Sequence, residues 1–196
     1  IALTLITVLI ARAIVVFGST DRRRIYQSDL QLLKEICEGL DITTLYDVGR
    51  ELEWESERLG PNVKTIRTGM LSDSDVSDLM SNAFAGIFDY HRFPRNLGKS
   101  TVYAAYCAHG LLPICNGRLL RPPDNTYANQ HYTDTFTLHK KAQQVAQAST
   151  SVAAVDKDLQ TIATNAHELY LTRSLDRCAE KYAELVQTAL RTGAAS

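Results

Sequence analysis

The sequence contains few cysteines, and no two of them lie close together. Its 196 residues include four cysteines and five histidines, and neither residue type recurs at the spacing of a zinc site. The pattern therefore indicates neither a disulfide framework nor a structural metal, and we expect no bound metal and a reducing, cytoplasmic environment. The cysteines are Cys37, Cys107, Cys115 and Cys178.

The sequence also lacks an excess of charge of one sign. Lysine and arginine number 21 against 22 aspartates and glutamates, which disfavours a protein that covers nucleic acid with basic surface, so we expect no nucleic-acid partner. With 45% hydrophobic and 22% charged residues, the composition is that of a globular protein with a sizeable core. The length favours one compact unit with appended helices over two full domains.

The apolar run at the amino terminus is too short to predict a transmembrane helix. Residues 1–17 are apolar apart from Arg12 and the threonine hydroxyls, whereas a spanning helix needs about 20 apolar residues and a central arginine costs roughly 2.5 kcal/mol or more. The run also has no basic start and no clear cleavage site for a signal peptide. We expect residues 1–12 to be the remnant of a preceding domain and the run to form buried strands; a membrane-associated or targeting role is the alternative.

From residue 13 onward, short β-branched or aromatic runs alternate with helix-period stretches. The runs begin about 20 to 30 residues apart, as the strands of a parallel sheet do when helices connect them. The pattern predicts an α/β fold in which residues 13–133 form a Rossmann-like parallel sheet flanked by helices and residues 134–196 form helices packed on it. The expected strands are 13–17, 42–46, 63–67, 85–90 and 111–115, and the expected helices are about 28–39, 73–83, 99–109, 134–149, 152–171 and 174–191.

Local signals predict where three of these helices begin or end. Ser28 followed by Gln31 is typical of a capping box at the start of the first helix. Ser72 and the acidic residues after it predict the start of the second. Gly110 is placed to end the third, because glycine adopts the left-handed conformation that terminates helices.

The first candidate ligand-binding loop, residues 17–26, directly follows the first strand. In an open parallel sheet, ligands bind at the carboxyl ends of the strands, near the point where the strand order reverses. Gly18 permits a close turn there, and the guanidinium groups of Arg22, Arg23 and Arg24 can fork onto phosphate oxygens. The alternative is that these arginines form a solvated face.

The second candidate loop, residues 88–101, leads from an apolar strand into a helix. Its Gly-Lys-Ser-Thr ending resembles a P-loop, but Phe93 stands where that motif needs its first glycine, so we exclude a P-loop NTPase. Free amides at a helix amino terminus attract anions, most naturally phosphates. Alternatively, Ser100 or Thr101 only caps the helix and Lys99 points to solvent. The predicted phosphate-binding residues of this loop are His91, Arg95, Gly98, Lys99, Ser100 and Thr101.

Five stretches of the sequence carry a family resemblance. They are VVFGS-x-x-RRRIY (15–26), LYDVG (45–49), IRTGMLSDSDVSDLMSNAFAGIFDY (66–90), LGKSTVYAAYCAHGLLPI (97–114) and IATNAHELYLTRSLDRCAEKYAEL (162–185). Together they resemble the carboxyl-terminal, donor-binding domain of a GT-B fold glycosyltransferase of the bacterial "glycosyl transferase group 1" type. A helix of small residues ending in Ala-x-Gly-x-Pro is typical of that family, and Ala108, Gly110 and Pro113 resemble this ending with one more residue between the glycine and the proline.

The resemblance implies a function for this domain. It implies that the chain is one of the two domains of such an enzyme and binds a nucleoside-diphosphate sugar, with uridine or guanosine as nucleoside. The implied reaction is a metal-independent hexosyl transfer that uses no cofactor. A missing amino-terminal domain would hold the acceptor, a glycan or a lipid, and this chain would be catalytically incomplete without it. Apolar surface left uncovered by that domain would favour a homo-oligomer.

One departure from the family pattern concerns catalysis. The family has two glutamates eight positions apart, and the matching positions here are Leu97 and Ala105. Either another side chain replaces them, with Asp89 and Lys99 the nearest candidates, or the domain has changed its chemistry. We therefore leave the catalytic residue unassigned and keep a second hypothesis, a non-catalytic glycosyltransferase-like binding module.

Overall fold

A computed structural model of the chain describes residues 12–19, 22–28, 30–90, 97–117, 125–173 and 175–193. Six strands lie in this part of the chain, at Arg12–Phe17 (β1), Ile42–Val48 (β2), Lys64–Gly69 (β3), Ala85–Phe88 (β4), Leu112–Cys115 (β5) and Thr133–Asp134 (β6). The α-helices described there are Arg23–Ser28 (α1), Leu30–Gly39 (α2), Asp73–Ser81 (α3), Thr101–Ala108 (α4), Thr135–Ala146 (α5), Val152–Thr172 (α6) and Leu175–Gly193 (α7).

The six strands form one sheet in the order β3-β2-β1-β4-β5-β6. Each neighbouring pair is parallel. This is the strand order of the Rossmann fold, so the predicted α/β class is confirmed. The order reverses between β1 and β4, and a crevice is expected where the carboxyl ends of these two strands diverge.

Both faces of the sheet are covered, as the apolar character of its strands requires. Successive side chains of β1 point to opposite faces, so Ile14 and Val16 lie in one apolar cluster and Val15 in the other. Helices α2 and α5 contribute buried residues to the first cluster, and α3 and α4 contribute to the second. Helix α6 contributes to both, and it packs on α4 and β5.

Tyr106 of α4 supports the two central strands. Its hydroxyl oxygen accepts a hydrogen bond from the amide of Phe17 at 3.0 Å and lies 3.2 Å from the carbonyl oxygen of Val15 and 3.0 Å from that of Ile87. The tyrosine ring crosses Gly86 so closely that a Cβ atom on that residue would lie 2.5 Å from ring carbons. Gly86 therefore provides the space that lets Tyr106 reach both strands.

The predicted start of the helix at 28–39 is wrong. The structure has two helices there, and Ser28 is the last residue of α1 rather than the cap of α2. The other two signals are confirmed: Ser72 caps α3, with its Oγ accepting from the amide of Asp75 at 3.2 Å, and α4 ends two residues before Gly110. Strand β6 was not predicted, because its two residues carry no periodic pattern.

The carboxyl-terminal helices differ in how they contact the sheet domain. Helix α5 packs against α2, and α6 lies on α4 and β5. In α7, by contrast, the side chains from 176 to 188 are exposed, including Tyr182 at 70% and Leu185 at 67%. Among the residues that the structure describes, no helix combines the length and apolar character needed to cross a membrane.

The predicted amino-terminal segment, residues 1–12, lies outside the described residues except for its last position. Arg12 is the first residue of β1, and its guanidinium group pairs with Asp156 of α6 at 2.7 Å. The same group stacks 4.1 Å from the ring centre of Phe84. Arg12 therefore belongs to the folded domain and ties α6 to the edge of the sheet where β1 begins.

Candidate functional site

A cleft of about 280 Å³ opens where the strand order reverses. It lies between the loop after β1, the end of β4 and the start of α4, which is where open α/β sheets bind their ligands. The polar and glycine residues that line it include Gly18, Ser19, Asp89, Lys99, Ser100 and Thr101. Four of these belong to the predicted phosphate-binding set, and the topology brings them together from two loops about 80 residues apart in the chain.

The loop after β1 is shaped by two glycines. Gly18 has φ +133° and Gly49 has φ +135°, a conformation that other residues rarely adopt. A Cβ atom on Gly49 would lie 2.4 Å from the carbonyl oxygen of Gly18, so the loops after β1 and β2 pack backbone against backbone. A Cβ atom on Gly18 would make only an ordinary contact with Val102 of α4. Gly49 is therefore required by the close approach of the two loops, and Gly18 by its backbone conformation.

Arg22 fixes the position of this loop through buried hydrogen bonds. It is 4% exposed, and its Nε donates to Asp47 Oδ1 at 2.6 Å. Its Nη1 donates to the carbonyl oxygens of Gly18 at 2.9 Å and Ser19 at 3.1 Å, and its Nη2 to that of Arg50. Arg22 was predicted to fork onto a phosphate, but every nitrogen of its guanidinium group already has a partner in the protein.

The remaining arginines of the loop occupy a different surface. Arg23 and Arg24 are exposed residues of α1, and among the described residues they do not line the cleft. His91 and Arg95, also predicted to bind phosphate, lie outside the described residues. Among the described residues, two positively charged side chains line the cleft, Arg22 and Lys99. Lys99 is exposed and ends the 3-10 turn Leu97–Lys99.

The amino terminus of α4 forms one wall of the cleft. Ser100 is its N-cap, and the Ser100 Oγ accepts from the amide of Tyr103 at 3.1 Å. The capping alternative is therefore correct for the Ser100 hydroxyl, while Lys99 and Thr101 are exposed beside it. The aligned amides of a helix carry roughly half a positive charge at this end, so an anion here is favoured.

A carboxylate faces this positive wall from the end of β4. Asp89 accepts a hydrogen bond from Nδ2 of Asn116, which follows β5, at 3.2 Å. The negative charges of Asp89 and Asp134 add to the effect of burial in raising the pKa of the Cys115 thiol above its ordinary value. The cleft thus combines a cation and helix amides on one side with a carboxylate on the other.

The positions of the two family glutamates face the protein core. Leu97 is 0% exposed and Ala105 packs against the same cluster, beside Tyr106 and Cys107. A glutamate at Leu97 would be a buried charge without a partner of its own, which is strongly disfavoured. In this chain these positions serve packing rather than ligand binding.

A second, smaller cavity of about 220 Å³ lies at the carboxyl ends of β2 and β3 and shares Arg22 with the cleft. Asp47, 2% exposed, forms its floor and accepts from Trp54 Nε1 at 3.3 Å as well as from Arg22. The Trp54 ring stacks on Tyr26 with 4.0 Å between ring centres. Sequence reasoning missed Asp47, although a single charge within the apolar stretch LYDVG was a signal that it has a partner.

Polar side chains outside the two cavities form structural contacts. His109 Nε2 lies 2.8 Å from Ser77 Oγ and its Nδ1 lies 2.8 Å from the carbonyl oxygen of Ala105, so the histidine joins α3 to the end of α4 away from the cleft. Among the described residues, no group of three or more histidine, cysteine or acidic side chains could hold a metal ion.

Comparisons with known proteins find distant similarity among solved structures. No family model matches the sequence, and no curated protein matches it. Among solved structures, the chain is similar to AviGT4, a glycosyltransferase involved in avilamycin A biosynthesis, with 14% identity and a TM-score of 0.38. The alignment covers 84% of this chain and 52% of that one, so this chain spans about half of its length.

Proposed function

We propose that this chain is the donor-binding half of a GT-B type glycosyltransferase and that the cleft between β1 and β4 holds the diphosphate of a nucleoside-diphosphate sugar. The observation that carries the proposal is the convergence, where the strand order reverses, of a glycine loop and a helix amino terminus bearing Lys99. The sequence resemblance supplies the class of ligand. Of the phosphate-binding residues predicted above, the proposal keeps four that line the cleft, which are Gly18, Lys99, Ser100 and Thr101. Arg22 holds the loop rather than contacting the ligand, and Arg23 and Arg24 lie on another surface.

The electrostatics of the cleft suit a diphosphate. Phosphate oxygens can accept from the first backbone amides of a helix, because these amides have no partner within the helix. In α4 the Tyr103 amide already donates to Ser100 Oγ, so the amides before it are the ones that a phosphate would contact. Lys99 and Thr101 add a positive charge and a hydroxyl donor beside them. When a sugar leaves its nucleoside diphosphate, negative charge grows on the departing phosphate, and preorganised donors at that place lower the barrier.

A dinucleotide cofactor fits this site less well. The loop after β1 contains Gly18 but not the G-x-G-x-x-G sequence that cradles a dinucleotide. Dinucleotide-binding folds also use a carboxylate after the second strand for a ribose hydroxyl. Within β2 the carboxylate is Asp47, which is 2% exposed and bound to Arg22. The exposed Glu51 in the loop after β2 lines the neighbouring cavity rather than the cleft.

The second candidate function is a non-catalytic binding module. Two observations favour it: Leu97 and Ala105 replace the acidic pair with core residues, and the apolar side chains of α7 are exposed. Such a module would bind a protein through its apolar surface and would bind no nucleoside diphosphate. The two functions therefore differ in nucleotide binding.

The deciding experiment is a calorimetric and thermal-shift titration with uridine, guanosine and adenosine diphosphates. A diphosphate present at 100 times its Kd stabilises the fold by about 2.7 kcal/mol. We expect one nucleotide to bind and Lys99→Ala to weaken it about tenfold, the effect of losing one charge-assisted contact. Lys64→Ala is the control, since Lys64 is an exposed cation at the start of β3, on the opposite edge of the sheet.

Two outcomes would decide against the proposal. If none of the three diphosphates binds at millimolar concentration, the binding-module function replaces it. If Lys64→Ala weakens binding as much as Lys99→Ala, the nucleotide binds somewhere other than this cleft. A metal-independent site also predicts that titrations with and without a chelator give the same Kd.

A further inference from the structure

We infer that Trp54 is a positioning residue for the diphosphate site and acts on the loop after β1 through the buried pair of Asp47 and Arg22. This inference rests on the proposed function and concerns what controls the geometry of that site. Trp54 lies in the loop after β2, and the described lining of the cleft does not include it. Its effect on a bound ligand must therefore pass through other side chains.

A continuous series of hydrogen bonds connects Trp54 with the cleft. Trp54 Nε1 donates to Asp47 Oδ2 at 3.3 Å. The other carboxylate oxygen, Oδ1, accepts from Arg22 Nε at 2.6 Å. Arg22 Nη1 then donates to the carbonyl oxygens of Gly18 at 2.9 Å and Ser19 at 3.1 Å, and both of these residues line the cleft. This Trp54 relay therefore places two side chains, Asp47 and Arg22, between the indole and the cleft.

The two carbonyl groups at the end of the relay determine how the loop receives an anion. A carbonyl oxygen carries partial negative charge and repels a phosphate, and hydrogen bonds from Arg22 occupy both oxygens. A trans peptide places its N–H opposite its C=O, so the bond to the Gly18 oxygen also fixes the direction of the Ser19 amide. A rotation of Arg22 would therefore change the donors and acceptors that the loop presents to the cleft.

Trp54 is itself held by two neighbouring elements. Its ring stacks on Tyr26 of α1, with 4.0 Å between ring centres and 1° between the ring planes. The guanidinium group of Arg67 in β3 lies 5.5 Å from the ring centre, and Arg67 Nη2 donates to the Trp54 carbonyl oxygen at 2.6 Å. Trp54 is half-buried, whereas Asp47 and Arg22 are buried. Trp54 is therefore the residue through which the loop after β2 acts on the buried pair.

The first test is a double-mutant cycle on the binding of inorganic pyrophosphate, measured by isothermal titration. Trp54→Phe keeps a ring beside Tyr26 and removes the Nε1 donor, and we expect it to raise Kd about threefold, within the range of one hydrogen bond. Arg22→Lys keeps the charge and removes the fork of donors, and we expect it to raise Kd about tenfold. Because Trp54 acts through Arg22, the double variant should bind no more weakly than Arg22→Lys alone.

A matched control separates positioning from a general loss of stability. Val155 is a buried residue of α6, next to Asp156, whose partner Arg12 lies at the start of β1 and hence at the edge of the sheet opposite to the cleft. Val155→Ala should destabilise the fold, because it removes buried methyl groups, and should leave the Kd for pyrophosphate unchanged. Circular dichroism and urea denaturation would verify that each variant is folded.

The second test uses the emission of Trp54 as a readout of the relay. Trp54 is the one tryptophan of the chain, and pyrophosphate has no ring that could stack on it. We expect pyrophosphate to change the emission of the wild type with the same Kd that calorimetry gives. The change should be lost in Arg22→Lys at saturating pyrophosphate. A tryptophan that only packs between α1 and β3 would keep a constant emission.

The outcomes separate this inference from the proposed function. If pyrophosphate binds and Lys99→Ala weakens it, but Trp54→Phe binds as well as the wild type or the emission stays constant, the role of Trp54 is wrong and the diphosphate site stands. If the effects of Trp54→Phe and Arg22→Lys add, or if Val155→Ala weakens binding equally, the relay is also wrong. If neither pyrophosphate nor a nucleoside diphosphate binds the wild type, the proposed function fails, and this inference fails with it.

Discussion

Tyr106 joins the backbones of the two central strands. Its hydroxyl contacts the Phe17 amide and the carbonyl oxygens of Val15 and Ile87. We expect Tyr106→Phe to destabilise the fold by about 1 kcal/mol, because the part-buried Phe17 amide loses this partner. Urea denaturation would measure the loss. Tyr182→Phe, at a site 70% exposed, should change nothing, and an equal loss there would contradict the argument.

Arg22 and Asp47 form a buried ion pair, with exposures of 4% and 2%. Replacing Arg22 by methionine would leave the Asp47 carboxylate buried without its cation, and we expect a loss of about 3–5 kcal/mol. The double variant Arg22→Met with Asp47→Leu should recover much of this, because no charge is then left unpaired. Arg23→Met, one residue further on and exposed, should be nearly neutral. If Arg22→Met unfolds at the same urea concentration as the wild type, the ion pair does not hold the loop in place.

The same pair shows why residue roles were harder to predict than the fold. The position of Arg22, directly after a strand that ends in glycine, predicts a phosphate ligand. Its partner Asp47 is 25 residues away, and the two meet because β1 and β2 are neighbours in the sheet. A sequence displays the type of each side chain but not which other side chain its charge meets, so the same arginine fits both interpretations.

At the scale of elements, helices α2 and α5 are joined by a carboxylate and an imidazole. Glu35 accepts hydrogen bonds from Gln31 at 2.8 Å and from His139, and these bonds lower the pKa of Glu35 below its usual value. A carboxyl group with a lowered pKa in the folded state stabilises the fold at pH values above the unfolded pKa, about 4.3. That contribution disappears as the pH falls through the lower pKa of the folded state.

We therefore expect Glu35→Gln to be less stable than the wild type at pH 6 and the difference to shrink as the pH falls below the unfolded pKa of about 4.3. Thermal unfolding of both proteins across this range would measure it. Glu53→Gln removes an exposed carboxylate from a loop and should give a difference that stays flat. A constant difference for Glu35→Gln would mean that the carboxylate charge does not support the contact between the helices.

The helices and strands that could be predicted from the sequence are those with a long apolar pattern. The five strands with β-branched runs and the helices with an apolar face were found, with ends shifted by a few residues. Strand β6 has two residues, too few to show a periodic pattern, and it is recognised by its pairing with β5. The short helix α1 was also not predicted, although its residues Ile25 and Tyr26 are buried.

Helix α7 is an element that contributes little to the stability of the domain. Its described side chains from 176 to 188 are exposed, so it buries little apolar surface against the sheet domain and gains little from packing. We expect a chain ending at Arg173 to unfold at nearly the same temperature as the full chain. A fall of more than about 5 °C, equivalent to about 1–2 kcal/mol in a domain of this size, would show that α7 packs on the domain.

At the scale of the whole molecule, the sheet separates two apolar clusters, and the cleft lies at the carboxyl ends of its central strands. The loops that line the cleft are attached to β1 and β4, whose central residues are buried on both faces. The strand order that creates the cleft is typical of a chain in which strands and helices alternate, which is why the position of the cleft was predictable before its contacts were.

The cysteines report whether this sheet and its covering helices unfold as one unit. Cys37, Cys107 and Cys115 are buried, whereas Cys178 on α7 is exposed. Burial raises the pKa of the Cys37 and Cys107 thiols to about 12, so at pH 8 they form little of the reactive thiolate. Under native conditions we expect a thiol reagent followed by mass spectrometry to modify Cys178 quickly and the other three together, at a rate that rises with urea as global unfolding does. If Cys107 were modified well before Cys37, the face covered by α4 would open independently, and the cleft would rest on a less stable half of the molecule.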